Sequence, residues 1–259
     1  VVSARTLAGP WRAEGTLLLD GRKAAVSATT GVADAQGLRL KLRLEPQDLP
    51  IIAELEGLAA SHGGVLSYTG TFHANERLPA PKGSRSGGTA QAQQVGNRAS
   101  GRFALNDRRL LLEEFRFEAG PADDPYVANG TASVDFGAEP HFSVSATGAQ
   151  IRLDEETEEQ GASGATVAQR VAAAESLLAA LPLPAMPGAV DIKLPAIVAA
   201  DTTIRDVAFT ATTADGGWSI DRLTAALPGR TTLESSGRLA VRPALGFDGK
   251  MLLAVGQPS

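Results

Sequence analysis

The stretch Leu38-Arg39-Leu40-Lys41-Leu42-Arg43-Leu44-Glu45 alternates strictly between leucine and a charged residue. Successive side chains of a β-strand point to opposite faces, so this segment would present one apolar face and one charged face. In a helix the same leucines would be spread around the circumference. The stretch therefore predicts a half-buried β-strand between Gly37 and Pro46.

Similar alternation recurs along most of the chain. The alternating segments are separated by residues typical of turns, such as Asn106-Asp107, Asp215-Gly216-Gly217 and Asp248-Gly249. Short strands joined by tight turns are typical of an antiparallel meander. The further predicted strands are Ile51 to Leu55, Val65 to Phe72, Arg102 to Leu105, Leu110 to Phe117, Val127 to Phe136, Phe142 to Ala146, Val190 to Leu194, Ile204 to Thr210, Leu233 to Val241 and Phe247 to Val255.

A short motif recurs within this pattern: a glycine, then Thr or Arg, then two apolar residues separated by one residue of any type. We interpret each copy as the start of a strand, either as a degenerate repeat or as a generic feature of antiparallel strands. The glycines of the five copies are Gly15, Gly70, Gly101, Gly130 and Gly237.

Two segments depart from the β pattern. Residues 79–96 are rich in Gly, Ser, Pro and Gln and predict a mobile loop, whereas residues 154–185 combine an acidic linker with one amphipathic helix that Pro182 ends. We therefore expect a mainly β protein whose strands form an antiparallel meander, with one amphipathic helix. Its β regions would be residues 1–153 and 186–259, the second continuing the same sheet.

Composition excludes several classes of protein. The 259 residues carry a net charge of −5 and no basic patch. The sequence therefore lacks the cluster of positive charge that binds the phosphates of nucleic acid. The chain has no cysteine, so disulfides and cysteine-ligated metals are excluded. Aromatic residues are 5% of the chain, which argues against the aromatic platforms of sugar-binding sites.

No catalytic signature emerges from the sequence. The histidines, His62, His73 and His141, have no second metal ligand at a useful spacing, and the acidic run Asp154 to Glu159 lacks the order of a calcium loop. The chain contains neither a Gly-x-Ser-x-Gly elbow nor a phosphate-binding loop. We therefore expect a protein that is not an enzyme and needs no metal or cofactor.

The C-terminal third carries a pattern that resembles the bacterial AsmA family. Its elements are Gly217-Trp218, Ile220, Leu223, Ala225 and Leu227-Pro228-Gly229, followed by Thr231-Thr232-Leu233, Gly237-Arg238-Leu239 and Phe247-Asp248-Gly249. The segment from Gly130 to Asp154 looks like a second unit of that family, so the resemblance covers roughly residues 100 to 256.

The resemblance implies a Gram-negative envelope protein with most of its mass in the periplasm, involved in outer-membrane biogenesis and phospholipid movement. The resemblance also implies a curved antiparallel sheet folded like a taco into an open groove. Such proteins are tethered to the inner membrane by an N-terminal helix. The chain starts at Val1-Val2 with neither a signal peptide nor an anchor, so we expect it to be a fragment whose tether lies outside it. Its partners would be phospholipid, the remainder of the parent chain and other envelope proteins.

A sheet with one continuous apolar face must cover that face or leave it exposed as a binding surface. If the sheet curls without closing, acyl chains would fill the trough. The alternative is a closed β-sandwich that serves as an adhesion or carbohydrate-binding module, in which the same leucines face a dry core. The lipid-binding candidates are Leu38, Leu40, Leu42, Leu44, Leu239, Val241 and Leu252.

Overall fold

The structure, a computed structural model, describes residues 2–4, 9–19, 22–77, 96–120, 124–152, 186–199, 202–241 and 246–256. These residues form β-strands joined by turns and short connections. The strands are β1 (Val2–Ala4), β2 (Trp11–Leu19), β3 (Arg22–Thr30), β4 (Leu38–Pro46), β5 (Ile51–His62), β6 (Val65–Glu76), β7 (Arg98–Asn106), β8 (Arg109–Ala119), β9 (Tyr126–Asp135), β10 (His141–Gly148), β11 (Ile151–Arg152), β12 (Gly188–Ala199), β13 (Thr202–Ala214), β14 (Gly217–Leu227), β15 (Thr231–Ala240) and β16 (Gly246–Val255).

The chain divides into an N-terminal unit, Val1–Gly137, and a C-terminal unit, Ala138–Ser259. In the N-terminal unit, β1 to β9 pair in sequence order, each antiparallel to the next. The predicted class, mainly β with curved antiparallel sheet, is confirmed.

The C-terminal unit contains an exception to the predicted meander. Its strands β12 to β16 pair antiparallel in sequence order, but β10 and β11 both run parallel to β12. Parallel neighbours cannot be joined by a tight hairpin, and residues 149–187 separate β10 from β12 in sequence. The alternation of a strand predicts its two faces but not the direction of its neighbour.

Cross-strand register gives the N-terminal sheet two chemically distinct faces. Leu42 pairs with Leu55, which pairs with Phe72, while Arg43 pairs with Glu54 on the opposite face. The predicted separation of leucines from charges along β4 therefore extends across neighbouring strands. The charged face carries these ion pairs between strands: Lys41–Glu54, Lys41–Glu56, Arg43–Glu54, Arg98–Glu118 and Arg102–Glu114.

Two β-bulges keep apolar side chains on one face where the sequence shifts phase. Between Leu112 and Phe115 on β8, and again between Ile220 and Leu223 on β14, two residues oppose a single residue of the next strand. A bulge of this kind moves the alternation by one position. The intervening pairs are the charged Glu113-Glu114 and Asp221-Arg222.

The recurring glycines lie inside strands, so their interpretation as strand starts is wrong. Each faces the apolar side, where it pairs as follows: Gly15 with Val26, Gly70 with Gly57, Gly101 with Phe72, Gly130 with Phe115 and Gly237 with Gly249. A Cβ on Gly57, Gly70, Gly101 or Gly237 would overlap backbone of the neighbouring strand. At these four positions glycine permits a close approach of two strands.

The predicted turn at Asp248-Gly249 is also wrong, because both residues lie in the middle of β16. The turns at Asn106-Asp107 and at Asp215-Gly216 occur where the sequence predicts them. The predicted loop lies almost entirely outside the described residues, and so does the predicted helix within residues 154–185.

Candidate functional site

An apolar groove lies on one face of the C-terminal unit and has a volume of about 490 Å³. Five strands, β12 to β16, contribute to it. All of its lining side chains are apolar except Ser235: Ile192, Leu194, Val207, Phe209, Ile220, Leu223, Ser235, Leu239, Phe247 and Met251. We refer to this feature as the apolar groove.

Strand register explains why these residues meet. Ile192 pairs with Phe209, Phe209 with Leu223, Leu223 with Ser235 and Ser235 with Met251, so a single row crosses all five strands. Side chains directly opposite each other in a sheet share a face. The bulge after Ile220 brings Leu223 into this row, because regular alternation from Ile220 would put Leu223 on the other face.

Ser235 does not interrupt the apolar surface. The residue is 7% exposed, and its hydroxyl donates a hydrogen bond to the backbone carbonyl of Lys250 at 3.1 Å. The hydroxyl is therefore satisfied by the sheet's own backbone. An occupant of the apolar groove would meet a hydrocarbon surface along this row.

A small core supports one end of the apolar groove. Ala211, Trp218, Ile220 and Leu239 are buried together, and Val241 packs against them. The indole Nε1 of Trp218 is buried and has no hydrogen-bond partner among the described residues. This core anchors the row formed by Trp218, Leu239 and Phe247 at the edge of the groove.

The outer wall of the groove is open to solvent along β16. Met251 is 62% exposed. Leu253 and Val255, which lie on the same face of β16 as Met251, are 54% and 74% exposed. These values are far above those of the core residues, such as Leu239 at 5%. A contiguous exposed apolar strip of this kind is typical of an interaction surface.

The four candidate leucines of β4 lie elsewhere, in the N-terminal unit. All four are half-buried, and Leu40 and Leu42 pack against a core of Tyr68, Phe72 and Phe103. Tyr68 and Phe103 meet edge to face with ring centroids 4.8 Å apart.

The phenol of Tyr68 fixes this aromatic core to β4. Its hydroxyl donates a hydrogen bond to the carbonyl of Leu40 at 3.0 Å. Burial, assisted by the charge of Glu56, raises the pKa of Tyr68 to about 12. Tyr68 and Phe72 are thus buried on the apolar face of β6, whereas Leu66 on the same face of that strand is 65% exposed.

The remaining candidates divide between the two faces of the C-terminal unit. Leu239 lines the apolar groove and Val241 belongs to its supporting core. Leu252 lies on the opposite, polar face, since it pairs with Glu234 while its neighbours Met251 and Leu253 face the apolar side. Residues 251–253 are all apolar. Alternation therefore does not show which of them lie on the apolar face of the sheet.

Most of the groove was not predictable from the sequence. Phe209 lies in a predicted strand, but the face of Leu223 depends on a bulge and the face of Met251 depends on the register of β16 with β15. Residues of the motif in the C-terminal third, among them Ile220, Leu223 and Leu239, line the apolar groove.

A second cavity of about 530 Å³ lies in the N-terminal unit. Its lining combines the apolar Leu40 and Leu58 with the charged Arg39, Lys41 and Glu56 and with polar residues. The Lys41 ammonium lies 3.9 Å from the Glu56 carboxylate. On the same charged face the hydrogen bond from Arg43 holds the pKa of Glu54 below its usual value. The lining of this cavity is therefore mixed, unlike the almost wholly apolar lining of the apolar groove.

In the described part of the chain, no cluster of His, Asp and Glu is arranged to hold a metal ion. No helix that is long and apolar enough to cross a membrane occurs in those residues either. Comparisons with protein-family models, curated proteins and solved structures find no match to the chain.

Proposed function

We propose that the chain is a non-enzymatic segment of an AsmA-like envelope protein and that its apolar groove binds phospholipid acyl chains. The observation that carries this proposal is the apolar groove, in which Ser235, its one polar lining residue, is satisfied by backbone. Contact with such a surface lowers the free energy of a hydrocarbon chain relative to water, whereas a polar ligand would lose its hydrogen bonds to water.

The size of the groove suits this class of ligand. Its volume of about 490 Å³ lies within the range of about 300–1,000 Å³ found for small-molecule sites. Each methylene group that leaves water contributes about 0.8 kcal/mol. Binding of an acyl chain therefore requires contact area and no specific polar group.

On this proposal the segment works in the periplasm, tethered to the inner membrane by a part of the protein outside this chain. Its partners are phospholipids, the remainder of the parent chain and other envelope proteins in outer-membrane biogenesis. Binding and passing an acyl chain breaks no covalent bond, so neither catalytic residues nor a cofactor are required.

The test is labelling of the purified chain with a phospholipid that carries a photo-crosslinker on its acyl tail. Two neighbouring residues provide a matched pair: Met251, which is 62% exposed, lines the apolar groove, and Leu252, which is 60% exposed, faces the polar side. We expect Met251→Glu to reduce labelling about tenfold, because a carboxylate beside hydrocarbon loses hydration. Leu252→Glu places the same charge on the other face and should label like the unchanged chain.

Equal loss of labelling in both variants, or no labelling of the unchanged chain, would contradict the proposal. Specific binding on a glycan array without lipid labelling would instead favour the carbohydrate-binding alternative. Crosslinked peptides mapped to β12 to β16 would support the apolar groove as the binding site.

A further inference from the structure

One buried hydrogen-bond donor beside the apolar groove has no acceptor. Trp218 is 5% exposed, and its indole Nε1 is the single buried side-chain nitrogen or oxygen without a partner in the part of the chain that the structure describes. The buried serines differ from it: the hydroxyl of Ser133 accepts a hydrogen bond from Arg109, and that of Ser235 donates one to backbone. Burial of an N–H without a partner is costly, so proteins seldom keep one.

Neither strand beside Trp218 supplies the missing acceptor. On β15 the residue directly opposite is Leu239, which is apolar. On β13 it is Thr213, whose Oγ1 accepts a hydrogen bond from the backbone N–H of Gly188 at 2.9 Å and none from the indole. A ligand that carries an acceptor can therefore supply what the described side chains do not.

Trp218 lies on the groove side of the sheet, close to the ends of the strands. It packs against Ile220 and Leu239, and both of these residues line the apolar groove. Trp218 is the second residue of β14, and Phe247, in the same cross-strand row, is the second residue of β16. A group bound beside the indole would have the apolar lining on one side and the exposed turn Asp215-Gly216 on the other.

We propose that the apolar groove orients its lipid through the carbonyl of an acyl ester, which accepts a hydrogen bond from the Trp218 indole. This inference rests on the proposed function and deepens it, since it names the group that fixes the lipid. A phospholipid carries this carbonyl between its hydrocarbon chain and its headgroup, and Trp218 lies between the apolar lining and the exposed turn. Hydrocarbon contact supplies most of the affinity, whereas the hydrogen bond sets the direction of the chain.

A carbonyl reaches the indole after a small movement, because Nε1 is covered by its neighbours. Phe209 and Leu223 pack against the same core, line the apolar groove and are only partly buried. Side-chain rotamer changes of such residues are common when a ligand or partner binds. A lipid that enters the groove contacts these two side chains directly, so its entry and the uncovering of the indole are coupled.

The test compares two lysophospholipids that share headgroup and chain length, one with an ester bond to its chain and one with an ether bond in its place. The ester alone offers a carbonyl next to the hydrocarbon. Both are titrated into the purified chain by calorimetry, below the concentration at which either forms micelles. We expect the ester to bind about fivefold more tightly, which is the effect of one net hydrogen bond.

Trp218→Phe removes the N–H but keeps an aromatic ring, so this variant should bind the two lipids equally. Trp11→Phe is the matched control: it changes the other tryptophan, which is 36% exposed in the N-terminal unit, and should keep the fivefold preference. Equal binding by the unchanged chain, or a preference that persists in Trp218→Phe, would overturn the inference and leave lipid binding intact. If neither lipid binds, the inference and the proposed function are both wrong.

The indole proton gives a second readout that needs no change at Trp218. The chain has two tryptophans, so in the Trp11→Phe variant the one indole N–H signal in an NMR spectrum belongs to Trp218. This signal should move downfield when the ester lipid is added, because its proton gains an acceptor, and should move less with the ether lipid. Equal movement with both lipids would contradict the hydrogen bond.

Discussion

In the N-terminal unit three aromatic side chains, Tyr68, Phe72 and Phe103, occupy the centre of the apolar face, whereas in the C-terminal unit the apolar groove lies on the equivalent face. Both units are built from one-sided strands with glycine pairs on the apolar side. Phe103 is 2% exposed, while Met251 is 62% exposed.

The difference teaches that the exposure of an apolar side chain depends on its place in the sheet, since Trp218 and Leu239 of the C-terminal unit are buried while Met251 on β16, the last strand in the pairing order, is exposed. In the N-terminal unit Phe103 lies beside Gly70, and Phe72 beside Gly101, so each ring covers a position without a side chain. In the C-terminal unit the glycine pair is Gly237 and Gly249, and the row next to it contains Ser235. The groove is open along β16, whose only partner among the described strands is β15.

The largest expected effect comes from emptying the aromatic core. Phe103→Ala should lower the free energy of unfolding by about 3 kcal/mol, because it removes a fully buried ring. Met251→Ala removes an exposed side chain and should change stability by less than about 0.5 kcal/mol. Denaturant unfolding of both variants measures the contrast, and similar losses would mean that the groove is as tightly packed as the aromatic core.

A smaller effect is expected from adding a methyl group to the glycine rows. A Cβ at Gly57 would overlap the carbonyl oxygen of Thr69, so Gly57→Ala should destabilise the protein by about 2 kcal/mol. Gly15 faces the same apolar side but has no heavy atom within 4 Å of its Cβ position, so Gly15→Ala is the matched control. Thermal unfolding that shows equal shifts for both would remove the close approach as the reason for glycine.

The smallest effect concerns the hydroxyl of Tyr68. Tyr68→Phe deletes its hydrogen bond to Leu40 and should cost about 1 kcal/mol near neutral pH. The folded pKa of about 12 exceeds the usual value near 10, so the stabilisation is complete below pH 10 and is lost as the pH rises toward 12.

Unfolding measured between pH 8 and 12 should therefore show a steeper loss for the unchanged chain than for Tyr68→Phe. The protein has two tyrosines, so a Tyr126→Phe background lets the absorbance of tyrosinate report on Tyr68 alone. A midpoint near 10 in that titration would contradict the buried environment of the phenol.

Much of the fold was predictable because local alternation is a property of each strand. The pattern from Leu38 to Glu45 gave β4 within a residue, and Leu110 to Phe117 fell inside β8. The segments that became β1, β3, β11 and β14 were not identified as strands, and β2 was predicted only from Gly15 onward. β3 consists mainly of small residues, Ala24-Ala25-Val26-Ser27-Ala28, whose alternation is weak.

The groove was less predictable because it depends on register and bulges between strands that are distant in sequence. The bulge after Ile220 changes the face of the sheet on which Leu223 lies. The face of Leu252 cannot be read from three consecutive apolar residues. Leu38, Leu40, Leu42 and Leu44 had the clearest pattern, yet their unit contains large aromatic residues on the next strands. A single strand cannot show what its neighbours place above it.

The neighbour-to-neighbour pairing of the strands has a consequence for folding. Within the described part of each unit, nearly every strand pairs with the strand next in sequence, so stability approximates a sum of nearest-neighbour interface terms. Short hairpins of this kind close rapidly, whereas the parallel pairing of β10 with β12 must bring together segments separated by residues 149–187. Closing this connection loses more conformational entropy than closing the loop of any other described strand pair. The refolding rate of the C-terminal unit should therefore depend on the length of that connection.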